Sequence, residues 1–352
     1  MSSSGIGLDW IFECKLCRHR GTISGMPKRI VISKLGGPEV LTYEDYDAPS
    51  VLKPDHVRIK QSSVGLNYID IYHRNGLYPL PKDPPVCPGL EAAGEVVEVG
   101  NKAKGFNIGD KVCYAGGPLG AYCEIRDFPA SRLIKLPEGI TEDIAASMLL
   151  RGMTVEYLFE RLYKIKKDEH ILFHAAAGGL GLIASQWAKS VGCKMIGTVS
   201  NDEKAQLAKD SGCEHIINYK TENVVERVRE ITEDKGVPVV YDGVGKDTFD
   251  VSLQSLDFRG LFVSFGQSSG MPPEVNLHKT FNPKSLYYTR PTLMHYTRTR
   301  KELESSSTLL FSKIRNNEIK EHIFAKIGLN DAATAHELLQ SRQATGSIVL
   351  KP

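Results

Sequence analysis

The chain has 352 residues, 24% of them charged, and a net charge of +2. That length suggests two domains, and the charge balance gives no basic face for nucleic acid or for an anionic membrane. No apolar run is long enough to span a bilayer, no secretory leader is visible, and seven scattered cysteines suggest reduced thiols in a cytoplasmic protein.

Residues 1–25 are expected to be a disordered extension, or to result from a start chosen upstream of Met26. They hold Cys14, Cys17 and His19, three potential zinc ligands without a fourth. Met26 reads as a natural start for a first strand.

From 26 to about 136 the pattern is β-rich. Strands are expected over 55–64, 91–99, 109–114 and 120–125, with glycine and proline turns between them. Short strands of this kind suggest a barrel. Near Thr141 the spacing turns helical, with Ile144, Met148, Leu149, Met153, Tyr157 and Leu158 on one face.

The middle alternates strand and helix. Strands are expected at 170–174, 194–199, 214–218, 237–242, 260–265 and 285–289, and helices at 180–191, 202–211, 222–232 and 246–256. That rhythm predicts a doubly wound parallel sheet, with ligands outside the carboxyl ends of its strands. The tail is expected to form helices at 299–316 and 330–341 and a strand at 346–350, and to return to the first domain.

The most informative stretch is Ala175-Ala-Ala-Gly-Gly-Leu-Gly181, between an apolar strand and an apolar helix. Small residues let the backbone approach a pyrophosphate, and the new helix turns its amides toward the phosphate oxygens. Gly178, Gly179, Leu180 and Gly181 therefore form a candidate phosphate turn. The second strand ends Thr198-Val-Ser-Asn201. No acid stands at that tip to accept ribose hydroxyls. Asp202 and Glu203 come later, where they complement a helix dipole. Ser200 and Lys204 favour a 2′-phosphate, hence NADPH over NADH.

Several motifs now stand in order: Gly36-Gly-Pro-Glu-Val-Leu41, Gly65-Leu-Asn67-Tyr-Ile-Asp70, Gly76-Leu-Tyr78-Pro79, Gly89-Leu-Glu91-Ala-Ala-Gly94, the glycine turn, Asn218-Tyr219, Tyr241-Asp242 and Val263-Ser-Phe-Gly266. With them the chain resembles the quinone oxidoreductase (zeta-crystallin-like) branch of the medium-chain dehydrogenase/reductase superfamily, from about residue 26 to the end. The resemblance implies an α/β protein: a GroES-like β-barrel catalytic domain (26–150 and 291–352) plus a doubly wound parallel-sheet Rossmann domain (151–290). It implies NADPH in the cleft between them, and a homodimer joined through the Rossmann sheets. It implies Asn67 beside the nicotinamide and Tyr157 near the cofactor at the domain junction. Ser200, Lys204 and Tyr219 would surround the 2′-phosphate. Phe265 and the loop Gln267, Ser268, Ser269 and Gly270 would line the nicotinamide side, and Arg342 would reach back to the cofactor.

Zinc-dependent relatives hold their metal with a cysteine and with the histidine of a Gly-His-Glu motif. Here Leu90 replaces that histidine and the Asn67 region takes the cysteine position, so no metal is expected. Without a Lewis acid the fitting substrates are intrinsically electrophilic, quinones first. Tyr72, Tyr78 and Asn67 are the candidate catalytic residues, the tyrosines as donors to a developing quinolate oxygen. His174, Asp242, Arg151 and Thr154 each admit a cofactor or substrate role and a structural one. Two further readings stay open: an NADPH-dependent enone or enoyl-thioester reductase, and a non-catalytic relative that binds nucleotide or RNA.

Overall fold

The computed structural model describes residues 25–352, so the Cys14/Cys17 pair, His19 and the expected N-terminal extension lie outside the described residues. A hairpin of β1 (Lys28–Ile32) and β2 (Leu41–Asp45) opens the chain. β3 (His56–Leu66) follows, then the short helix α1 (Tyr68–Arg74), β4 (Glu91–Val99), β5 (Lys111–Ala115), β6 (Ile125–Pro129) and β7 (Ile134–Lys135). α2 (Glu142–Glu156) starts at Thr141, whose side chain accepts from the Ile144 amide, and carries Glu142 and Asp143 in its first turn. Both features stabilise a helix N-terminus. The helix runs on as a wider turn through Tyr157–Leu162.

The alternating segment comprises β8 (His170–Phe173), α3 (Gly179–Val191), β9 (Lys194–Val199), α4 (Asp202–Asp210), β10 (His215–Asn218), α5 (Val224–Ile231), β11 (Val237–Asp242), α6 (Phe249–Ser255), β12 (Leu256–Ser264), α7 (Leu277–Phe281) and β13 (Tyr287–Thr289). Its six strands form one parallel sheet in the order β10-β9-β8-β11-β12-β13. The order reverses between β8 and β11, the topological switch point where such sheets take their ligands. α8 (Leu293–Tyr296), α9 (Arg300–Arg315), β14 (Ile323–Gly328), α10 (Ala332–Gln340) and β15 (Ser347–Lys351) complete the chain.

β15 returns to the first sheet, antiparallel to β3 with Val349 opposite Gly65, and β14 lies parallel on its outer side. That sheet runs β14-β15-β3-β4-β5-β7, with β6 also on β3. One apolar core, with Val57, Ile59, Val96, Phe128 and Ile348, fills the barrel. Two others pack around the parallel sheet, one holding Trp187, Phe173 and Tyr241, the other Val240, Phe249 and Phe262.

β2, α1, β7, α7 and α8 lie outside the expected elements, and two further departures have a physical reason. The strand expected over 120–125 lies at Ile125–Pro129 instead. The amides of Gly120, Ala121 and Tyr122 bond to the carbonyls of Gly89 and Pro88, and the Gln61 side chain takes the Ala121 and Cys123 carbonyls. The segment makes only an isolated antiparallel bridge, Cys123 opposite Arg29 on β1, and the ladder to β3 begins at Ile125. β14 also lies outside the expected elements: its burial alternates along Ile-Phe-Ala-Lys-Ile-Gly, but exposed Phe324 stands between half-buried Ile323 and Ala325, so the apolar letters do not show that alternation.

Candidate active site

The cleft between barrel and parallel sheet holds a cavity of about 1150 Å³, long enough to touch the glycine turn, the β9 tip and the α1 loop together. At its centre β8 ends, Ala175 takes a left-handed φ of 58°, and α3 begins. A Cβ at Gly181 would stand 2.4 Å from the Ala175 carbonyl oxygen and 2.6 Å from that of Ala176, so only glycine permits this strand-to-helix packing. The N-cap, Gly178, has no side chain to accept from the first-turn amides. Gly178, Gly179, Leu180 and Gly181 all line the cavity, so the helix presents its partial positive charge there.

At one end Ser200, Lys204, Tyr219 and Arg342 line the wall together. Asn201 caps α4 by accepting from the Lys204 amide at 2.9 Å, which fixes where that lysine leaves the helix. Lys204 Nζ donates to the Arg342 carbonyl at 2.6 Å, and burial lowers its pKa. Among the described residues no carboxylate forms an ion pair with it, and the Arg342 guanidinium meets Asp247 only at 3.8 Å. Two cations short of anionic partners, beside a helix N-terminus, fit a phosphate-bearing dinucleotide. Asp202 and Glu203 sit in the first turn of α4, off the cavity wall.

At the other end Asn67, Tyr72, Tyr78, Leu90, Tyr157 and Phe265 line the wall. The Tyr72 and Tyr78 rings lie 5.2 Å apart. The Tyr72 hydroxyl oxygen accepts from the Gln267 amide at 3.1 Å, and that of Tyr78 accepts from Arg290 at 3.0 Å. Each oxygen therefore receives a hydrogen from the protein and keeps its own to give. Burial pushes the Tyr72 phenol up to about 12, which keeps it protonated near neutrality. Tyr157 stacks on Tyr296 with centroids 4.3 Å apart.

Gln267, Ser269 and Gly270 do not front the cavity. Gln267 is buried and accepts from Arg290, Ser269 donates to the Val244 carbonyl at 2.8 Å, and Gly270 closes the turn with a φ of 116°. They shape the loop, while Phe265, Gly266 and Ser268 form its lining. Asp242 satisfies the turn after β11: its carboxylate accepts from the amides of Val244 and Gly245 and from the hydroxyls of Thr248 and Ser252. His174 is buried between the Thr198 and Ser252 hydroxyls, each at 3.0 Å, and burial lowers its pKa, as for a structural imidazole. Arg151 bonds to the Leu66 and Ser147 carbonyls and to Ser347, tying α2 to β3 and β15. Thr154 returns a bond to Leu150 within α2.

Two participants escaped the sequence reading. Arg290 holds Tyr78, Gln267 and the carbonyls of Ser264 and Gly266 from behind the wall. Glu91 lies wholly buried behind Asn67 and accepts from its Nδ2 at 2.8 Å and from the Leu150 amide at 2.6 Å. The Asn67 amide N–H meanwhile donates to Asp70 at 2.9 Å. Burial pushes both carboxyls up to about 7.

A GroES-like barrel, a Rossmann sheet and a dinucleotide-shaped cleft between them define a medium-chain dehydrogenase/reductase. Residues 53–138 match the alcohol dehydrogenase GroES-like domain, and 179–312 match the family described as zinc-binding dehydrogenase. The quinone oxidoreductase of Pseudomonas aeruginosa is 48% identical over 327 residues, which span 93% of this chain and all of that protein. The crystal structure of Escherichia coli quinone oxidoreductase complexed with NADPH superposes with a TM-score of 0.90 at 47% identity, over 92% of this chain and 100% of that one. A 2-haloacrylate reductase from Burkholderia is 41% identical, over 92% of this chain and 98% of its own length. The chain belongs to the quinone oxidoreductase family of the medium-chain dehydrogenase/reductases.

Proposed function

We propose that this protein is an NADPH:quinone oxidoreductase. The observation that carries the reading is the pairing, in one cleft, of a phosphate cradle with cationic Lys204 and Arg342 and, at the far end, two tyrosine hydroxyls free to donate. The Escherichia coli relative binds NADPH, and the likeness covers that whole chain. When bound, NADPH supplies a hydride from its dihydronicotinamide. The overall reaction is NADPH, quinone and one proton giving NADP+ and hydroquinone.

In this reading the first-turn amides of α3 bind the pyrophosphate, and Ser200, Lys204 and Tyr219 hold the 2′-phosphate. Asn67 and Phe265 position the nicotinamide against the barrel wall. Tyr72 and Tyr78 donate to the quinone oxygen as it gains negative charge, an interaction stronger in the transition state than in the ground state. Their test is acceptor-dependent oxidation of NADPH by 1,4-benzoquinone, with NADH as comparison. Rapid oxidation that prefers NADPH is expected, and no acceptor-dependent oxidation would refute the assignment.

The 41% identical 2-haloacrylate reductase supports a second reading, reduction of a conjugated alkene in the same cleft. Turnover of an enone but not of benzoquinone would favour it.

We also propose a cytoplasmic homodimer. The described cysteines are free thiols, which suits a reducing compartment. No described helix is long and apolar enough to cross a membrane. β13 ends the parallel sheet as a three-residue edge with Tyr287 and Tyr288 exposed, and Phe258 is exposed on neighbouring β12. A second copy pairing there would cover an edge otherwise open to aggregation. Sedimentation of the intact protein against a Tyr288→Asp variant checks it, with a shift toward monomer expected.

A further inference from the structure

Asn67 lines the cleft, yet the group that holds its side chain does not. Glu91 stands behind it on β4 with no exposed surface. We propose that Glu91 is a positioning residue whose protonation state sets which pole of the Asn67 amide points toward β4, and therefore which pole is left for the cleft.

The argument is one of donors and acceptors. Both carboxyl oxygens of Glu91 face N–H groups, Oε1 the Leu150 amide and Oε2 the Asn67 Nδ2. An ionised carboxylate satisfies both. A carboxylic acid carries a proton on one oxygen, and that oxygen would then confront a donor. The Leu150 amide belongs to α2 and cannot turn. The Asn67 amide can rotate about its terminal torsion and offer Oδ1 instead, giving up the Asp70 main-chain N–H that Oδ1 faces in the capping box of α1. Protonation therefore falls on Oε2 and reverses Asn67, while ionisation restores it.

The surroundings allow a charge here without quenching it. Arg151 on α2 favours the ionised form, but its guanidinium is committed to Leu66, Ser147 and Ser347. Asp70 on α1 and the Cys113 thiol on β5 also face this pocket, Asp70 as a like charge. Gly65 on β3 makes room for the carboxyl, because a Cβ there would lie 2.3 Å from Oε2. Burial moves the titration to about 7, so both states are populated near neutrality. On the hydride-transfer reading, on which the catalytic consequence rests, the two states offer nicotinamide and substrate an acceptor or a donor at one position.

The test uses the free protein, labelled at asparagine nitrogen, with the Asn67 side-chain signal assigned by its loss in Asn67→Ala. From about pH 5.5 to 8.5 that signal should titrate with one midpoint near neutrality, be flat in Glu91→Gln and titrate still in Asp70→Asn. A flat wild type, or a Glu91→Gln protein that titrates as before, overturns the proposal. If Glu91→Gln fails to fold, the wild-type pH profile of kcat/KM for benzoquinone serves: its break near neutrality should vanish in Asn67→Ala, and a break that survives there overturns it. In a folded Glu91→Gln protein kcat/KM should fall about tenfold or more, as for one lost charge-assisted hydrogen bond. Absence of any NADPH oxidation by the wild type would count against the quinone reductase reading and leave the amide titration to decide this one.

Discussion

Replacing Lys204 by alanine separates the two nicotinamide cofactors. Its ammonium lies half-buried on the cavity wall, with one bond to the Arg342 carbonyl and no carboxylate partner among the described residues. A hydrogen bond to a charged group contributes about 1.5–3 kcal/mol. Half exposure to solvent places this one near the lower bound. NADPH affinity should therefore weaken about tenfold, by the usual conversion of free energy to binding constant. NADH carries no 2′-phosphate, so its affinity should hold within about twofold. The assay is fluorescence titration of both cofactors at low and high salt, and the difference between wild type and variant should shrink as salt rises. The NADH arm is an internal control, because Lys204→Ala also removes the bond to the Arg342 carbonyl and both cofactors feel that loss. Equal weakening of NADPH and NADH would show that Lys204 acts through the tail loop. No change in either would remove it from the phosphate site.

Gly181→Ala should cost about 1–3 kcal/mol, the range for overpacking, because its Cβ would meet two main-chain carbonyls at 2.4 and 2.6 Å; a lowered Tm and weaker NADPH binding check it, and a wild-type Tm would contradict it. Tyr72→Phe and Tyr78→Phe should each lower kcat about tenfold or more with NADPH affinity kept, since each removes a donor that acts on developing charge; unchanged turnover in both would take them out of the mechanism. Acid should destabilise the fold through His336. That imidazole is buried on α10 between Arg74 and Tyr122, and burial brings its pKa down to about 3. Below about 6.5 the unfolded chain binds a proton that the folded chain refuses, so stability from this residue is complete above that pH and is lost as pH falls toward 3. Urea melts should show a shallower acid decline in His336→Gln than in the wild type, and parallel declines would refute the assignment.

What the sequence made legible was local. The glycine turn, the strand–helix rhythm and the Lys204 position each depend on residues within a few places of one another. The parts missed depend on partners far along the chain. Glu91 reads as one letter of a glycine motif, because the groups that give it a role lie 24 and 59 residues away. Arg290 reads as a polar residue after a short strand, and its bond to Tyr78 spans 212 residues. β14 is a strand because β15 offers it a ladder, something its own half-buried residues do not announce. Gln267 illustrates the converse error: a polar residue in a lining loop faces inward because Arg290 and Tyr72 use its carbonyl and amide.

Apart from Arg151, a buried lining cation committed to Leu66, Ser147 and Ser347, the polar groups of the cleft differ in kind along its length. Lys204 and Arg342 gather at one end and the α3 amides lie at the centre, so the positive charge a bound phosphate would need runs from that end to the middle of the cleft. The other end holds Tyr72, Tyr78 and Asn67, neutral groups whose oxygens or nitrogens are already engaged by the protein. A cation beside the nicotinamide would disfavour the positive ring left after hydride departs, whereas a neutral donor favours the anionic oxygen without that cost. Arg290 shows the same economy: its charge lies behind the wall, spent on three carbonyl oxygens and a phenol, so that it orients Tyr78 without itself lining the cavity. On the proposed function affinity would reside toward one end of the cleft and chemistry at the other, which is why charge removal at Lys204 and hydroxyl removal at Tyr72 are expected to act on different kinetic constants.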